Sequence, residues 1–192
     1  MIIGITGKKK SGKDTFFKAL SENNGNMVRY SFGDDLKAEV AVACGCTVEF
    51  IDENKDLFRP MLQWWGTDFR RNCFGKEYWV KKLAARIEAG ESIPGLFFVP
   101  VQIPVITDVR FLNEAELVRE RGGVVVRILG GQSVAGDTHA SEVEMEEIKA
   151  DYVIQNTEGL DELEEQAKDF LSRLDAYSPR SESHHCSLAI RN

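Results

Sequence analysis

A glycine-rich run near the start of the chain has the residue types and the spacing to bind phosphate. Gly7 and Gly12 stand five positions apart, Lys13 follows directly, and the β-branched run before them predicts a buried strand. Glycines let the backbone curl so that successive N–H groups point at phosphate oxygens, and the helix that follows adds its positive N-terminal end. Lys13 would reach the outer phosphates as a mobile point charge. The pattern predicts a site for a nucleoside triphosphate.

Two carboxylates are candidates for a magnesium ion that accompanies this nucleotide. Asp14 stands directly after Lys13, where a Ser or Thr normally binds the ion, and Thr15 comes only next. A carboxylate can bind magnesium in place of the hydroxyl. Asp108 follows a short apolar strand, which is the Walker B arrangement. We therefore predict that Asp14 and Asp108 bind one magnesium ion.

A stretch rich in aromatic and basic residues, from about 52 to 82, is the next unusual feature. Arg59, Gln63 and Arg70 recur there at spacings of four and seven, so on a continuous helix they would share one face and could bind an anion together. Gly66 allows a break or kink between them. The alternative is an amphipathic hairpin whose tryptophans are core and whose arginines are solvated.

The elements that must position these residues alternate between strand and helix. Strands are expected at 2–5, 27–32, 104–107, 124–129 and 151–155, and the apolar segment 96–101 is either an edge strand or a covering loop. This alternation describes an α/β protein with a five-stranded parallel sheet covered on both faces. The ligand-binding loops should then gather at the carboxyl ends of the strands.

Two helix starts near these ends carry polar residues. Asp35, after the second strand, is either a ligand of the site or the cap of the helix that follows. Asn113 can cap the helix after Asp108, with Glu116 three residues on, so we expect a capping box there. Arg110 lies between Asp108 and this helix, one turn of chain from the expected metal site.

Composition bounds the class of protein. The 192 residues, 43% hydrophobic and 29% charged, fit one soluble globular domain. A formal net charge of -7 argues against non-specific binding to nucleic acid. No signal peptide precedes the first strand and no apolar run is long enough to span a bilayer, so we expect a cytoplasmic protein with no membrane partner.

The cysteines lack the paired spacing of zinc sites or disulfides and are expected to be reduced thiols: Cys44, Cys46, Cys73 and Cys186.

Two further segments differ in composition from the rest of the chain. Residues 130 to 140 are polar and contain glycine, as in a mobile flap, and His139 is expected to open a short acidic helix. Residues 176 to 192 are serine-rich and without periodicity, which predicts a disordered tail. His184, His185 and Cys186 could bind a metal there, but the tail is the preferred interpretation.

Several motifs together resemble the viral (bacteriophage) deoxynucleoside monophosphate kinase family. They are GITGKKKSGKDT, SFGDDLK, LQWWGTDFRR, VITDVRFLNEAE, HASE and DYVIQNTEGLDEL, and they span about residues 1 to 175. The resemblance implies a P-loop NTPase of three layers, similar to nucleoside monophosphate kinases. It also implies a helical substrate-binding insertion at about 52–82 and a flap at about 130–140. The implied activity is transfer of the ATP γ-phosphoryl group to a deoxynucleotide. The flap contains no arginine, which leaves its part in catalysis open.

Phosphoryl transfer between two nucleotides needs both polyanions in line, their charge neutralised and water excluded, and this requirement assigns roles. The residues expected to bind ATP are Gly7, Lys8, Ser11, Gly12, Lys13, Asp14 and Thr15. Those expected to bind the deoxynucleoside monophosphate are Asp35, Lys37, Arg59, Gln63, Asp68, Arg70 and Arg71. Lys13, Asp108 and Arg110 are the candidate catalytic residues, with ATP and magnesium as cofactors. Trp64 or Trp65 could stack on a base, although a core role is favoured for at least one.

Two rival functions stay open at this point. One keeps the kinase and changes the acceptor to another phosphorylated metabolite, of the phosphomevalonate or dephospho-coenzyme A type. The other is a non-catalytic, ATP-dependent switch without an acceptor. Base preference, exclusion of ribonucleotides and assembly as a homodimer are open as well.

Overall fold

The computed structural model describes residues 1–91, 102–130, 140–157 and 159–177. Within them the strands are β1 (Ile3–Thr6), β2 (Met27–Tyr30), β3 (Ile103–Ile106), β4 (Val124–Leu129) and β5 (Tyr152–Gln155). The helices are α1 (Lys13–Asn23), α2 (Phe32–Cys44), α3 (Val48–Glu53), α4 (Lys55–Gln63), α5 (Asn72–Phe74), α6 (Tyr78–Glu91), α7 (Leu112–Glu120), α8 (Ala140–Glu147) and α9 (Leu160–Tyr177). Between α4 and α5 the chain is π-helical from Trp64 to Arg71.

The strands form one parallel sheet in the order β2-β3-β1-β4-β5. Ile3 pairs with Val105 on one side and with Val124 on the other, so β1 lies in the middle of the sheet. Because β3 lies between β1 and β2 and the strands are parallel, the carboxyl ends of these three strands lie side by side at one edge of the sheet. The prediction of a five-stranded parallel sheet is therefore confirmed.

Each face of the sheet buries a separate apolar cluster. On one face Ile3 and Ile5 pack with Phe16 of α1 and Phe170 of α9. On the other face the side chains come chiefly from α6 and α7, among them Leu83, Ile87, Leu117 and Val118. The sheet is thus covered on both sides, as the alternation of strands and helices predicts.

The helices α3 and α4, the π-helical segment and α5 form a layer beside α2, which we call the insertion (Val48–Phe74). A small cluster of buried residues joins it to α2: Val40 and Ala41 of α2 and Ile51 of α3. Helix α4 has no buried residue and contains Pro60. The insertion therefore rests on α2 more than on the sheet.

Some expectations need correction or fall elsewhere. The second strand ends at Tyr30, because Phe32 already begins α2. The segment 96–101, most of the expected flap (131–139, including His139) and the tail from 178 onward lie outside the described residues. In the part of the chain that the structure describes, no helix has the length and apolar composition needed to cross a membrane.

Candidate active site

The phosphate loop joins β1 to α1 in a tightly curled conformation. Gly7 and Gly12 have φ angles of 151° and 95°, and Lys10 is left-handed at 62°. A Cβ on Gly7 would lie 2.6 Å from the Ile128 carbonyl oxygen, so the loop approaches β4 too closely for any side chain there. The side chain of Asn156, the residue directly after β5, supports the loop by donating to the Ser11 carbonyl at 2.9 Å.

Two observations in this loop fit a phosphate group. Lys13 Nζ donates to the loop's own carbonyls, at 2.6 Å to Gly7 and 2.7 Å to Lys8, so its charge is held over the centre of the loop. Ser11 Oγ and Thr6 Oγ1 are buried hydroxyls with no hydrogen-bond partner among the described residues. Buried polar atoms normally have partners, and an anion in the loop is a group that could accept from Ser11.

The other residues expected to bind ATP occupy different surroundings. Lys8 contributes its backbone carbonyl to the loop, while its ammonium pairs with Glu146 of α8 at 3.1 Å. Asp14 is exposed and Thr15 is half-buried, both in the first turn of α1. Their backbone N–H groups belong to the positive end of that helix.

Asp108 lies at the end of β3 and caps a different helix, α2. Its carboxylate accepts hydrogen bonds from Ser31 Oγ at 2.7 Å, from the Phe32 N–H at 2.9 Å and from the Gly33 N–H at 2.8 Å. Two of these donors are backbone N–H groups of the first turn of α2, which have no hydrogen-bond partner within the helix. Gly33 permits the approach, since a Cβ there would lie 3.2 Å from Asp108 Oδ2. Asp108 thus ties the end of β3 to the start of α2.

This geometry bears on the expected magnesium site. Three of the lone-pair positions of the Asp108 carboxylate already accept hydrogen bonds, which leaves little capacity for a metal ion. Within the described ranges, no group of three or more His, Cys, Asp or Glu side chains is placed to hold a metal. Convergence of Asp14 and Asp108 on one ion therefore stays a prediction.

A cleft of about 340 Å³ opens beside the phosphate loop. The tip of the loop, at Lys9, forms part of its wall. Of the residues expected to bind substrate or to act in catalysis, the lining includes Lys37, Arg59, Gln63, Arg71, Asp108 and Arg110. Its apolar wall is made by Phe32, Leu36, Leu62, Trp79 and Phe111. The fold therefore brings together residues from α2, the insertion, α6 and the end of β3.

Two cations of the cleft are already engaged by neighbouring groups. Lys37 Nζ lies 3.0 Å from Asp52 Oδ1, and Lys55 pairs with the same carboxylate at 3.4 Å. Although partial burial opposes it, these two ammonium groups hold the pKa of Asp52 below its usual 3.8. Arg71 is buried, and its guanidinium lies 3.6 Å from the centre of the Phe111 ring. A phosphate bound by Lys37 would have to compete with Asp52.

Glu114 forms the buried base of the turn that carries Arg110. Its Oε2 accepts from the N–H groups of Arg110, at 2.8 Å, and Phe111, at 3.1 Å. Burial raises the pKa of this carboxyl from 4.5 to about 8, against the lowering effect of those two bonds. The expected capping box of Asn113 and Glu116 is therefore wrong: the N-cap is Phe111, two residues before Asn113, α7 begins at Leu112, and Glu114 takes the capping role.

Arg70 lies outside the cleft, and its predicted alignment with Arg59 and Gln63 is wrong. The chain from Trp64 to Arg71 is π-helical, so its turns are wider than α-helical turns and seven residues no longer complete two of them. Arg70 Nε instead donates to Glu39 Oε2 of α2 at 2.7 Å. Arg59 and Gln63, on the α-helical part, do line the cleft.

The remaining candidates also lie outside the lining. Asp35 is buried and pairs with Arg86 of α6 at 3.0 Å, so it neither caps α2 nor faces the cleft. Asp68 is exposed and accepts from Asn72 at 3.4 Å. Trp64 is 52% exposed, and Trp65 donates to Glu39. Neither tryptophan lines the cleft.

Sequence reasoning missed four residues that shape this site. Glu39 and Ser31 give no local pattern, because their partners lie far away in the chain. Glu114 was hidden by the more obvious helix cap at Asn113. Trp79 had a usable signal, since it lies within the aromatic and basic stretch at 52–82, but nothing in the sequence distinguishes the wall of a cleft from a core position. Its indole donates to the Gly66 carbonyl at 2.9 Å, which closes the back of the cleft.

This chain matches the model of a known protein family. The family model for deoxynucleotide monophosphate kinase matches residues 45–167, well over half of the chain. This range contains the whole insertion, Asp108 and the turn after it, but it begins beyond the phosphate loop. The loop assignment therefore rests on its own geometry.

Two viral relatives carry the same name. A putative deoxynucleotide monophosphate kinase of Acanthamoeba polyphaga mimivirus is 29% identical over 195 residues, which cover 84% of this chain and 91% of the relative. The deoxynucleotide monophosphate kinase of Escherichia phage RB69 is 31% identical over 105 residues, or 55% of this chain and 41% of that protein.

A solved structure supports the fold. Shikimate kinase from Acinetobacter baumannii, in complex with shikimate, superposes with a TM-score of 0.51 at 13% identity and covers 92% of this chain and 94% of its own. At that identity the likeness shows the fold alone, an α/β P-loop NTPase. Taken with the match to the family model, it leads to one conclusion: the chain belongs to the deoxynucleotide monophosphate kinase family and is a kinase.

Proposed function

We propose that this kinase transfers the γ-phosphoryl group of ATP to a deoxynucleoside monophosphate and releases the deoxynucleoside diphosphate and ADP. The observation that carries the proposal is the charge of the cleft beside the phosphate loop. The cationic residues of its lining are Lys9, Lys37, Lys55, Arg59, Arg71 and Arg110, and the acidic ones are Asp56, Asp108 and Glu114. An excess of positive charge next to a triphosphate site suits a second phosphorylated substrate.

The shape and lining of the cleft favour a single nucleotide as acceptor. A volume of about 340 Å³ lies at the lower end of the range for small-molecule sites. Aromatic walls from Phe32, Trp79 and Phe111 offer a flat apolar surface for a base, while Arg59 and Lys37 offer charge for its phosphate. Gln63 is the polar side chain of the lining best suited to hydrogen-bond a base or sugar.

Different residues of the site would have different roles in phosphoryl transfer. The backbone from Gly7 to Lys13 would hold the ATP phosphates, and the Lys13 ammonium, released from its two carbonyls, would neutralise charge on the outer ones. Arg110, which lines the cleft, would stabilise the charge that develops during transfer.

Magnesium completes this scheme. When bound, the ion would supply positive charge that offsets part of the negative charge of the phosphates. Asp14 is the exposed carboxylate at the loop and the first candidate for it, with Asp108 as a second through its remaining lone pair.

A coupled ADP-release assay tests the proposal. Deoxy- and ribonucleoside monophosphates, phosphomevalonate and dephospho-coenzyme A are each added to the enzyme with ATP and magnesium. ADP should form in proportion to one or more deoxynucleoside monophosphates. The matched control is Lys13→Ala, which should form almost none. If ADP forms only with another metabolite, that metabolite is the acceptor and the proposed acceptor is wrong. If ATP is hydrolysed slowly and at the same rate with every added compound, the proposal is contradicted.

We also propose a kinase domain at about 1–175 that includes the insertion, with no nucleic-acid or membrane partner. The proposed location is the cytoplasm, which is the host cytoplasm if the protein is viral, and assembly as a homodimer stays open. The contacts of the described residues add only that the helices at 48–74 stand apart from the sheet, close to the expected insertion boundary.

A further inference from the structure

One carboxylate behind the cleft receives four hydrogen bonds. Glu39 Oε1 accepts from Tyr78 Oη at 2.5 Å and from Lys82 Nζ at 2.7 Å. Its Oε2 accepts from Trp65 Nε1 at 3.0 Å and from Arg70 Nε at 2.7 Å. Burial opposes ionisation, but the four donors prevail and lower the pKa of Glu39 to about 2. The carboxylate is therefore ionised throughout the physiological range.

The four donors come from two different elements that both line the cleft. Trp65 and Arg70 belong to the π-helical segment, while Tyr78 and Lys82 belong to α6. Glu39 itself is on α2, whose first turn is tied to β3 by Asp108. A single side chain thus connects both elements to the part of the molecule that is anchored beside the phosphate loop.

Arg70 is held firmly at this junction. Its guanidinium carbon lies 4.8 Å from the ring centre of Phe69, 5.0 Å from Phe74, 4.9 Å from Tyr78 and 5.7 Å from Trp65. Aromatic faces favour a cation, and the Glu39 carboxylate supplies the counter-charge. Without that carboxylate the arginine would keep the ring contacts but lose its charged hydrogen-bond partner.

The neighbour of Arg70 in sequence points into the cleft. Arg71 is 4% exposed, lies over Phe111 and donates to the Lys76 carbonyl. Two successive side chains of one helical segment are therefore fixed in different directions, one towards Glu39 and one towards the acceptor. A rotation of the segment would therefore move Arg70 away from Glu39 and would also displace Arg71 and Thr67, which both line the cleft.

We propose that Glu39 is a positioning residue for the acceptor site: by binding Arg70 and Trp65 it fixes the rotation of the π-helical segment and thereby the geometry of the acceptor-binding wall. The inference rests on the proposed function, because it takes the cleft as the site of the deoxynucleoside monophosphate. Glu39 does not line the cleft and acts only through its donors.

The test measures equilibrium binding of a deoxynucleoside monophosphate and of ATP by calorimetry, with steady-state kinetics beside it. Glu39→Gln keeps the shape and removes the charge. It should weaken monophosphate binding about tenfold or more, raise the corresponding KM, and leave ATP binding within about twofold. Arg70→Met should reproduce this effect, and the double variant should be little worse than either single one because both remove the same interaction.

A control separates positioning from a general loss of stability. Leu174→Ala opens a cavity in the core cluster between α9 and the sheet, far from the insertion. It should lower the melting temperature without a selective loss of monophosphate binding. If Glu39→Gln binds the monophosphate like wild type, or weakens ATP binding equally, the positioning role is refuted.

Amide hydrogen exchange tests the positioning role of Glu39 separately from the proposed function. In protein without ligand, Glu39→Gln should increase amide exchange between 64 and 74 more than elsewhere, whatever the acceptor is. If wild type binds no deoxynucleoside monophosphate, the proposed function fails and exchange alone decides whether Glu39 holds the segment. Unchanged exchange at 64–74 would then overturn the inference.

Discussion

Replacing Asp108 by Asn tests whether this residue ties β3 to α2. Asn keeps one acceptor oxygen but places an NH₂ group where the other carboxylate oxygen accepts a bond. If the oxygen stays on the Phe32 N–H, the Gly33 N–H faces a second donor. Loss of a helix cap costs about 1 kcal/mol, and an unpaired buried N–H costs roughly 1–3 kcal/mol more. We expect a loss of about 2–4 kcal/mol, or a fall in Tm of roughly 5–15 °C for a chain of this length.

The assay is thermal unfolding followed by circular dichroism, with magnesium titrations of activity in parallel. Asp14→Asn is the matched control, since it removes the same charge from an exposed position and should change stability by less than about 0.5 kcal/mol. A role for both carboxylates in metal binding would raise the magnesium requirement of each variant.

One combination of results would refute the structural reasoning. If Asp108→Asn melts within about 2 °C of wild type and only its magnesium requirement rises, Asp108 is a metal ligand and its bonds to α2 contribute little. If Asp14→Asn leaves the magnesium titration unchanged, the carboxylate after Lys13 has no metal role.

Three further outcomes are expected. Lys13→Ala should reduce kcat on the order of a thousandfold or more in a folded protein, and near-normal turnover would remove the phosphate-loop assignment. Arg59→Ala should weaken monophosphate binding by about one to two decades with ATP binding unchanged; equal affinity in both proteins would place the acceptor elsewhere. The free energy of unfolding should decrease as the pH rises from about 4.5 to about 8, because the unfolded chain releases the Glu114 proton first. Glu114→Gln retains the acceptor oxygen and should remove that part of the pH dependence; an unchanged urea-denaturation profile would show that Glu114 ionises normally in the folded protein.

The sequence predicted those features that depend on neighbouring residues. The β-branched run before Gly7, the spacing to Lys13 and the alternation of later elements are local patterns, and they led to the correct sheet and loop. Arg59 and Gln63 were placed correctly relative to each other because α4 is regular over those positions.

The features that the sequence did not reveal have a common physical origin in contacts between distant residues. The local sequence around Asp108 predicts a strand end beside a metal ion. Its hydrogen-bond donors Ser31 and Gly33 lie more than seventy positions earlier in the chain, so no local pattern indicates them. Arg70 was misplaced because residues 64–71 form a π-helix and not the α-helix that was assumed, and because its partner Glu39 lies 31 positions earlier in the chain. Periodicity alone carries no information on that choice.

The location of the indole side chains determines what optical measurements can report. All three tryptophans of the chain lie between 64 and 79: Trp64 is half exposed, Trp65 bonds to Glu39, and Trp79 is buried at the cleft. The phosphate loop and the strands contain none. Intrinsic fluorescence is therefore a selective probe of the insertion and α6. A signal that changes with the acceptor but not with ATP would locate the acceptor without any attached label, and an emission-monitored melt would follow this region and not the sheet.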